Sequence, residues 1–425
     1  MKKKLLYGAI SSFFILSNTY AFAEDESIKI NGNILLRSEF DARDFNNNTS
    51  SLFFTSMRTS LSAEKEFFDK VKFFVQIRDS RIMGQEKDTL SNSANIDLHQ
   101  GYIEFKNIFF DGFSAKIGRF ENNFGTQRFI GAVDWHYIAR SFDGARLSYS
   151  NKDLLNLKID AFSFMHNTNT PYIGNANPKI YKDTNPLNYD LHGLWANFEF
   201  NEHAKLDLFT IYQRDSRQTN PNISDLNLLT LGLNYKGNYG NFSSLVECAY
   251  QSGNTKNLST NAYLLSAQGF YNIFDFKFGI GADILSGNNP NSKNTFNVFT
   301  VPFGTNHLFY GFMDYFINIP ANTMNLGLND YYFTSLWKPT FLPVNFGLNT
   351  HYFTSNQLSN DNKINFGQEI DFTINYPFTM NNFKNSITFG TSVFNPGELM
   401  RKDEMFGNNV NSPGVWSYLM LVSNF

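Results

Sequence analysis

The chain has 425 residues, is 42% hydrophobic and 17% charged, and carries a formal net charge of −3. That acidic balance excludes a nucleic-acid binder, and a lone cysteine, Cys248, excludes a disulfide framework. With 47 Phe and 21 Tyr the aromatic load exceeds what a soluble sheet with one polar face asks for, so some rings need a second apolar environment.

The N-terminal stretch "MKKKLLYGAISSFFILSNTYAFAED" places three lysines before an apolar run from Leu5 to Leu16, then a small-x-small triplet ending at Ala23. This is the pattern of a secretory signal peptide over residues 1–23, with cleavage expected between Ala23 and Glu24. The apolar run falls short of the roughly 20 residues a membrane-spanning helix needs. The residue directly after the cleavage point is Glu24 and not a cysteine that could carry a lipid, and loss of Lys2, Lys3 and Lys4 takes the charge from −3 to −6.

Residues 24–425 read as a single domain without a helical span. Short segments of period two follow one another from "SLFFTSMRTSLSA" and "KVKFFVQIRDS" through "SAKIGRF", "FDGARLSYS" and "KLDLFTIYQR" to the terminal "VWSYLMLVSNF". In "VKFFVQIRDS", Val71, Phe73, Val75 and Ile77 share one face, and Lys72, Phe74, Gln76, Arg78 and Ser80 the other. "NHLFYGFMDYF" (306–316) is taken as one more such strand, with His307 at an interface position near its end. Tight links at 235–242 and 271–276 look like periplasmic turns. The polar stretches 166–190 and 285–306 look like outer loops or segments folded into a lumen. The expected fold class is all-β: a transmembrane antiparallel β-barrel of about 18 strands, within a range of about 16–18. Phe425 is expected to end a closing strand that pairs near "IKINGNILLRSEF".

The block "GRFENNFGTQRFIGAVDWHYIARSFDGARL", from Gly118 to Leu147, resembles a strand end, Arg-containing loop and following strand of the alginate-export family of outer-membrane porins. "GADILSGNNPNSKNTFNVFTVPFGTNHLFYGFMDYF" (281–316) and "GQEIDFTINYPF" (367–378) are similar to two further blocks of that family. The resemblance implies a barrel in the outer membrane of a Gram-negative bacterium, and a lumen whose arginines admit an anionic polyuronate or a smaller carboxylate. It also implies that the barrel-assembly machinery recognises the terminal Phe425.

The arginines support anion handling independently. Of 12, nine fall between positions 37 and 146. Arginine stays charged at any relevant pH and grips carboxylates through two hydrogen bonds. Candidate pore-lining residues are Arg58, Arg78, Arg119, Arg128, Arg140 and Arg146, and strand parity places Arg58, Arg78 and Arg146 on the polar face. Glu104, Asp134 and Asp143 are candidate lumenal partners, and pairing with them would make the arginines mere braces. No His-Glu-x-x-His or other metal spacing occurs, so no cofactor, metal or catalytic residue is assigned. The expectation is a passive, non-enzymatic channel for anionic saccharides or carboxylates, including export of an alginate-like polyuronate. The alternatives are a nutrient-uptake porin and an outer-membrane barrel enzyme such as a lipase or protease.

Overall fold

The computed structural model describes residues 27–86, 95–168, 188–215, 226–402 and 410–425. The expected cleavage residues Ala23 and Glu24, and 169–187 of the long loop, lie outside the described residues. The chain forms β1 (Lys29–Ala42), β2 (Leu52–Phe67), β3 (Val71–Ile82), β4 (Ile96–Lys106), β5 (Phe113–Phe120), β6 (Phe142–Asn151), β7 (Leu157–Thr168), β8 (Asn188–Asn201) and β9 (Ala204–Asp215). It continues with β10 (Leu226–Tyr239), β11 (Phe242–Thr255), β12 (Leu258–Ile273), β13 (Phe276–Leu285), β14 (Leu328–Trp337), β15 (Asn345–Thr354), β16 (Asn365–Met380), β17 (Phe383–Pro396) and β18 (Gly414–Asn424). A four-residue helix, α1 (Ile319–Asn322), lies between β13 and β14.

Each strand pairs with its sequence neighbours in one 18-stranded sheet, and β18 returns to β1 with Asn424 opposite Asn33 and Val415 opposite Ala42. The sheet is therefore a closed antiparallel barrel with no open edge, the one way strands can satisfy their backbone groups in hydrocarbon. Period two sets the faces. On β18, Leu419 is 55% exposed while its neighbours Trp416 and Tyr418 are buried inside.

One rim carries the short links, among them 240–241 and 274–275, and the other carries nearly all the long ones. The turns expected at 235–242 and 271–276 lie on the short-link rim. The two longest fully described connectors, 121–141 and 286–327, leave the opposite rim and fold inward. They join each other through Gly131 N to Phe303 O (2.9 Å), Phe303 N to Phe129 O (2.9 Å) and Thr305 N to Gln127 O (2.9 Å).

Those two connectors carry much of an internal core. Phe124 and Phe209 sandwich Trp195, with ring centroids 5.0 and 4.3 Å away, and Phe129 lies 4.6 Å from Phe209. Fully burying a ring of this size contributes about 1.5–3 kcal/mol. The aromatic surplus thus has two destinations, the hydrocarbon outside and a packed cluster within, so the inner face is not uniformly polar. Segment 306–316 belongs to that cluster and is not a strand. It begins as a 3-10 turn (Asn306–Leu308), and Tyr310, Met313 and Phe316 are each no more than 1% exposed. Rings packed on several sides have no single buried face, and this overrides the alternation. His307 is accordingly an internal residue, stacked 4.2 Å from Trp135 and hydrogen-bonded to Asp314 at 2.9 Å.

Phe425 extends the closing pair by exchanging backbone hydrogen bonds with Gly32 at 3.1 and 3.2 Å. A Cβ on Gly32 would stand 1.9 Å from the Phe425 ring, so this position needs glycine for the ring to lie across it.

Candidate functional site

Arg37, Arg58 and Arg78 lie on the adjacent strands β1, β2 and β3, in register through Leu35 opposite Arg58 and Ser60 opposite Arg78. All three are buried on the inner face, as parity requires of charges within a span. Their guanidinium groups meet the inward connector 121–141. Arg58 Nη1 donates to the carbonyls of Asp134 (3.1 Å) and His136 (3.3 Å), Arg37 Nη1 to Trp135 (2.8 Å) and Arg78 Nη1 to Ile138 (3.1 Å). Ser80 Oγ donates to the Tyr137 carbonyl at 2.9 Å. Arg37 also pairs with Glu39 at 2.8 Å, and Arg78 with Glu121 at 3.4 Å. Among the described residues Arg58 has no carboxylate within ion-pair distance. Arg146 also faces inward, donating to Asn122 at 2.7 Å with Asp160 at 3.6 Å.

The other candidates divide. Arg128 is fully buried and held by Glu247 (2.7 Å), Asp283 (2.9 Å), Tyr310 Oη (3.0 Å) and Ser266 Oγ (3.1 Å). It is a brace tying one inward connector to β11, β12, β13 and the other connector, not a free wall charge. Arg140 donates to the carbonyls of Gly131 (3.1 Å), Phe303 and Gly304 (3.3 Å), so it staples the two connectors together. Burial lowers its pKa to about 10, which leaves it charged at neutral pH.

Arg119 is a correction: it shares the outward face of β5 with Ile117, which is 51% exposed, and pairs at 2.8 Å with Asp143 on the outward face of β6. Neither residue lines the lumen. Of the expected acidic partners, Glu104 pairs with Lys116 (3.7 Å) and not with arginine, while Asp134 meets Arg58 through its backbone carbonyl.

Further round the barrel, from β11 to β16, lies a wall that sequence reasoning missed. Glu247, Asp283, Asp330, Glu369 and Asp371 on β11, β13, β14 and β16 are all fully buried, and His351 on β15 is within 2.9 Å of Asp330. Glu369 accepts the Met313 N–H at 2.8 Å, and Gly311 (φ +81) leaves room for its carboxylate. The available signal was a charged residue at alternate positions of an otherwise apolar strand, as in "GQEIDFT". An internal cavity of about 110 Å³ sits beside this wall, lined by Asp283, His307, Phe309, Tyr332 and His351. A larger depression of about 770 Å³ lies elsewhere, with Gly269, Tyr271, Phe278 and Ile280 of the outward face along it, where hydrocarbon packs.

The barrel, with its basic wall and two inward connectors, accords with the match of residues 29–329 to the family described as alginate export. The chain belongs to the alginate export family. No curated protein matches it in sequence. Solved structures similar to this alginate export barrel include OccK9 (OpdG) of Pseudomonas aeruginosa, at TM-score 0.63 and 11% identity, covering 96% of this chain and 100% of that one. OccAB4 of Acinetobacter baumannii follows at 0.59 and 13%, covering 93% and 98%. OpdK of Pseudomonas aeruginosa, solved with vanillate, gives 0.57 and 10%, covering 93% and 98%. At such identities the likeness shows a shared fold. Family and fold together make the alginate export chain an outer-membrane porin of the Gram-negative type.

Proposed function

We propose that this porin is a passive, non-enzymatic channel selecting anionic saccharides or carboxylates, alginate-like polyuronates among them. The observation that carries the reading is the row Arg37, Arg58 and Arg78 on three adjacent strands, with Arg58 held by two backbone carbonyls and the Asn33 amide oxygen (3.3 Å) and, among the described residues, by no carboxylate. A guanidinium grips a carboxylate through two parallel charge-assisted bonds, which a neutral hydroxyl cannot supply, so such a row favours a carboxylate over a neutral sugar. That OpdK was solved with vanillate, a carboxylate, fits the same class.

Among the described residues, a serine, a histidine and an acid come together for the barrel-enzyme alternative in the trio Ser141, His99 and Glu121. There Glu121 Oε1 and Arg78 Nη1 each lie 2.6 Å from His99 Nε2 and compete for it, while Ser141 Oγ is 3.2 and 3.3 Å from the two ring nitrogens. A nucleophile relay needs the acid on one nitrogen and the serine on the other. A hydroxyl nearly equidistant from both ring nitrogens lies along the lone pair of neither, and Arg78 competes with Glu121 for Nε2, so the trio favours a structural cluster.

Proteoliposome swelling tests the reading. Galacturonate should enter faster than a neutral hexose of equal size at equal osmolarity. Equal rates, or faster neutral entry, would remove the carboxylate preference and leave a general nutrient-uptake porin.

A further inference from the structure

Residues 134–138 present five consecutive backbone carbonyls to the wall, and every one is bound by Arg37, Arg58, Arg78 or Ser80. The stretch is bounded by Val133 (φ 56) and Ala139 (φ 62), both in the left-handed region, where a β-branched valine is an outlier. Its base is fixed: Arg140 N donates to Ala132 O at 2.6 Å, and the Arg140 guanidinium is tied to the second inward connector. A fixed base, two strained ends and a middle held almost wholly through polar donors on the wall describe a hinged flap. Trp135 packs against His307 and Tyr418 (4.2 and 5.1 Å) and under the Arg37 guanidinium (4.5 Å), while the rings of His136 and Tyr137 stack within the flap itself (4.7 Å).

We propose that the 133–139 flap is a gate released by the transported solute itself. The flap's carbonyl row occupies the guanidinium groups that a carboxylate would use. A carboxylate reaching Arg58 offers the stronger, two-pronged partner. It exchanges with the carbonyls of Asp134 and His136, and the strained ends favour lifting once those bonds are lost. Neutral sugars have no such exchange to offer. This rests on the carboxylate reading above, and adds that the solute regulates its own passage.

Ser80, whose Oγ binds the Tyr137 carbonyl, reports the flap's position. In a Cys248→Ser protein carrying Ser80→Cys, reconstituted in liposomes, labelling by a water-soluble maleimide would be timed in galacturonate, in chloride of equal ionic strength and in neutral hexose. Galacturonate should raise the labelling rate by about tenfold, a 1.4 kcal/mol shift in flap equilibrium. Adding Arg58→Gln should give fast labelling in all three media. Should that variant not assemble, as judged by heat-modifiable mobility in a gel, Arg58→Lys should give an intermediate rate and a weakened galacturonate response. Equal rates in the three media for the parent protein would overturn the gate. Equal rates together with preferential galacturonate swelling would sink only the gate, whereas loss of both would sink the carboxylate reading too.

Discussion

At the scale of single residues, arginine does three different jobs within one barrel. Arg128 is the clearest brace, fully buried between Glu247 and Asp283. Removing one partner of a buried pair strands the others, which costs about 3–5 kcal/mol. Arg128→Ala should therefore lower unfolding free energy in detergent by that amount, measured by urea titration, while leaving ion selectivity unchanged. A selectivity change without destabilisation would return Arg128 to the pore lining. Arg58 and Arg78 were legible from strand parity because a charge inside a span must turn inward. The role of Arg128 was not, since its partners lie 119 and 155 residues away in sequence. Arg119 misleads when taken by block and not by face, for parity alone sets it beside Ile117.

At the scale of elements, most strands are readable from period two, and the exceptions have local causes. Strand β4 hides in "IDLHQGYIEFK" because a register shift opposite Gln76 and Ile77 breaks its alternation near His99. Segment 306–316 imitates a strand, yet its rings fill the barrel interior. The contact between the two inward connectors should be tunable at Trp135: Trp135→Ala, losing the stack on His307, should destabilise by about 0.5–3 kcal/mol and increase open-channel noise in single-channel records. Quiet records at unchanged stability would show that the stack holds nothing. For the closing strand we propose recognition of Phe425 by the barrel-assembly machinery. Phe425→Ala should reduce the amount of heat-modifiable barrel in outer-membrane fractions, and Gly32→Leu, which displaces the ring, should do the same. Full assembly of both variants would separate Phe425 from barrel closure.

At the scale of the whole molecule, the outward belt includes Ile280 at 68% exposure, Leu419 at 55% and Ile370 at 53%. That belt meets hydrocarbon, so the protein should stay monodisperse only in detergent or lipid, and a stable monomer in plain buffer by light scattering would refute the membrane-spanning arrangement. The inner face carries buried guanidinium groups on β1, β2 and β3 and buried carboxylates on β11, β13, β14 and β16, with Glu39 paired to the first set and Arg128 to the second. The barrel and its basic wall were readable in the sequence because strand order equals spatial order. The acidic wall was not, because apart from the Glu369 and Asp371 pair on β16 its members are single residues on separate strands. The central claim is that the inward arginines bias passage toward anions. The measurement that tests it most directly is the reversal potential of the reconstituted channel in a potassium chloride gradient, for the parent protein and for Arg37→Gln, Arg58→Gln, Arg78→Gln and Arg146→Gln combined. The account predicts anion preference in the parent and a shift toward cations in the variant; identical reversal potentials would contradict it.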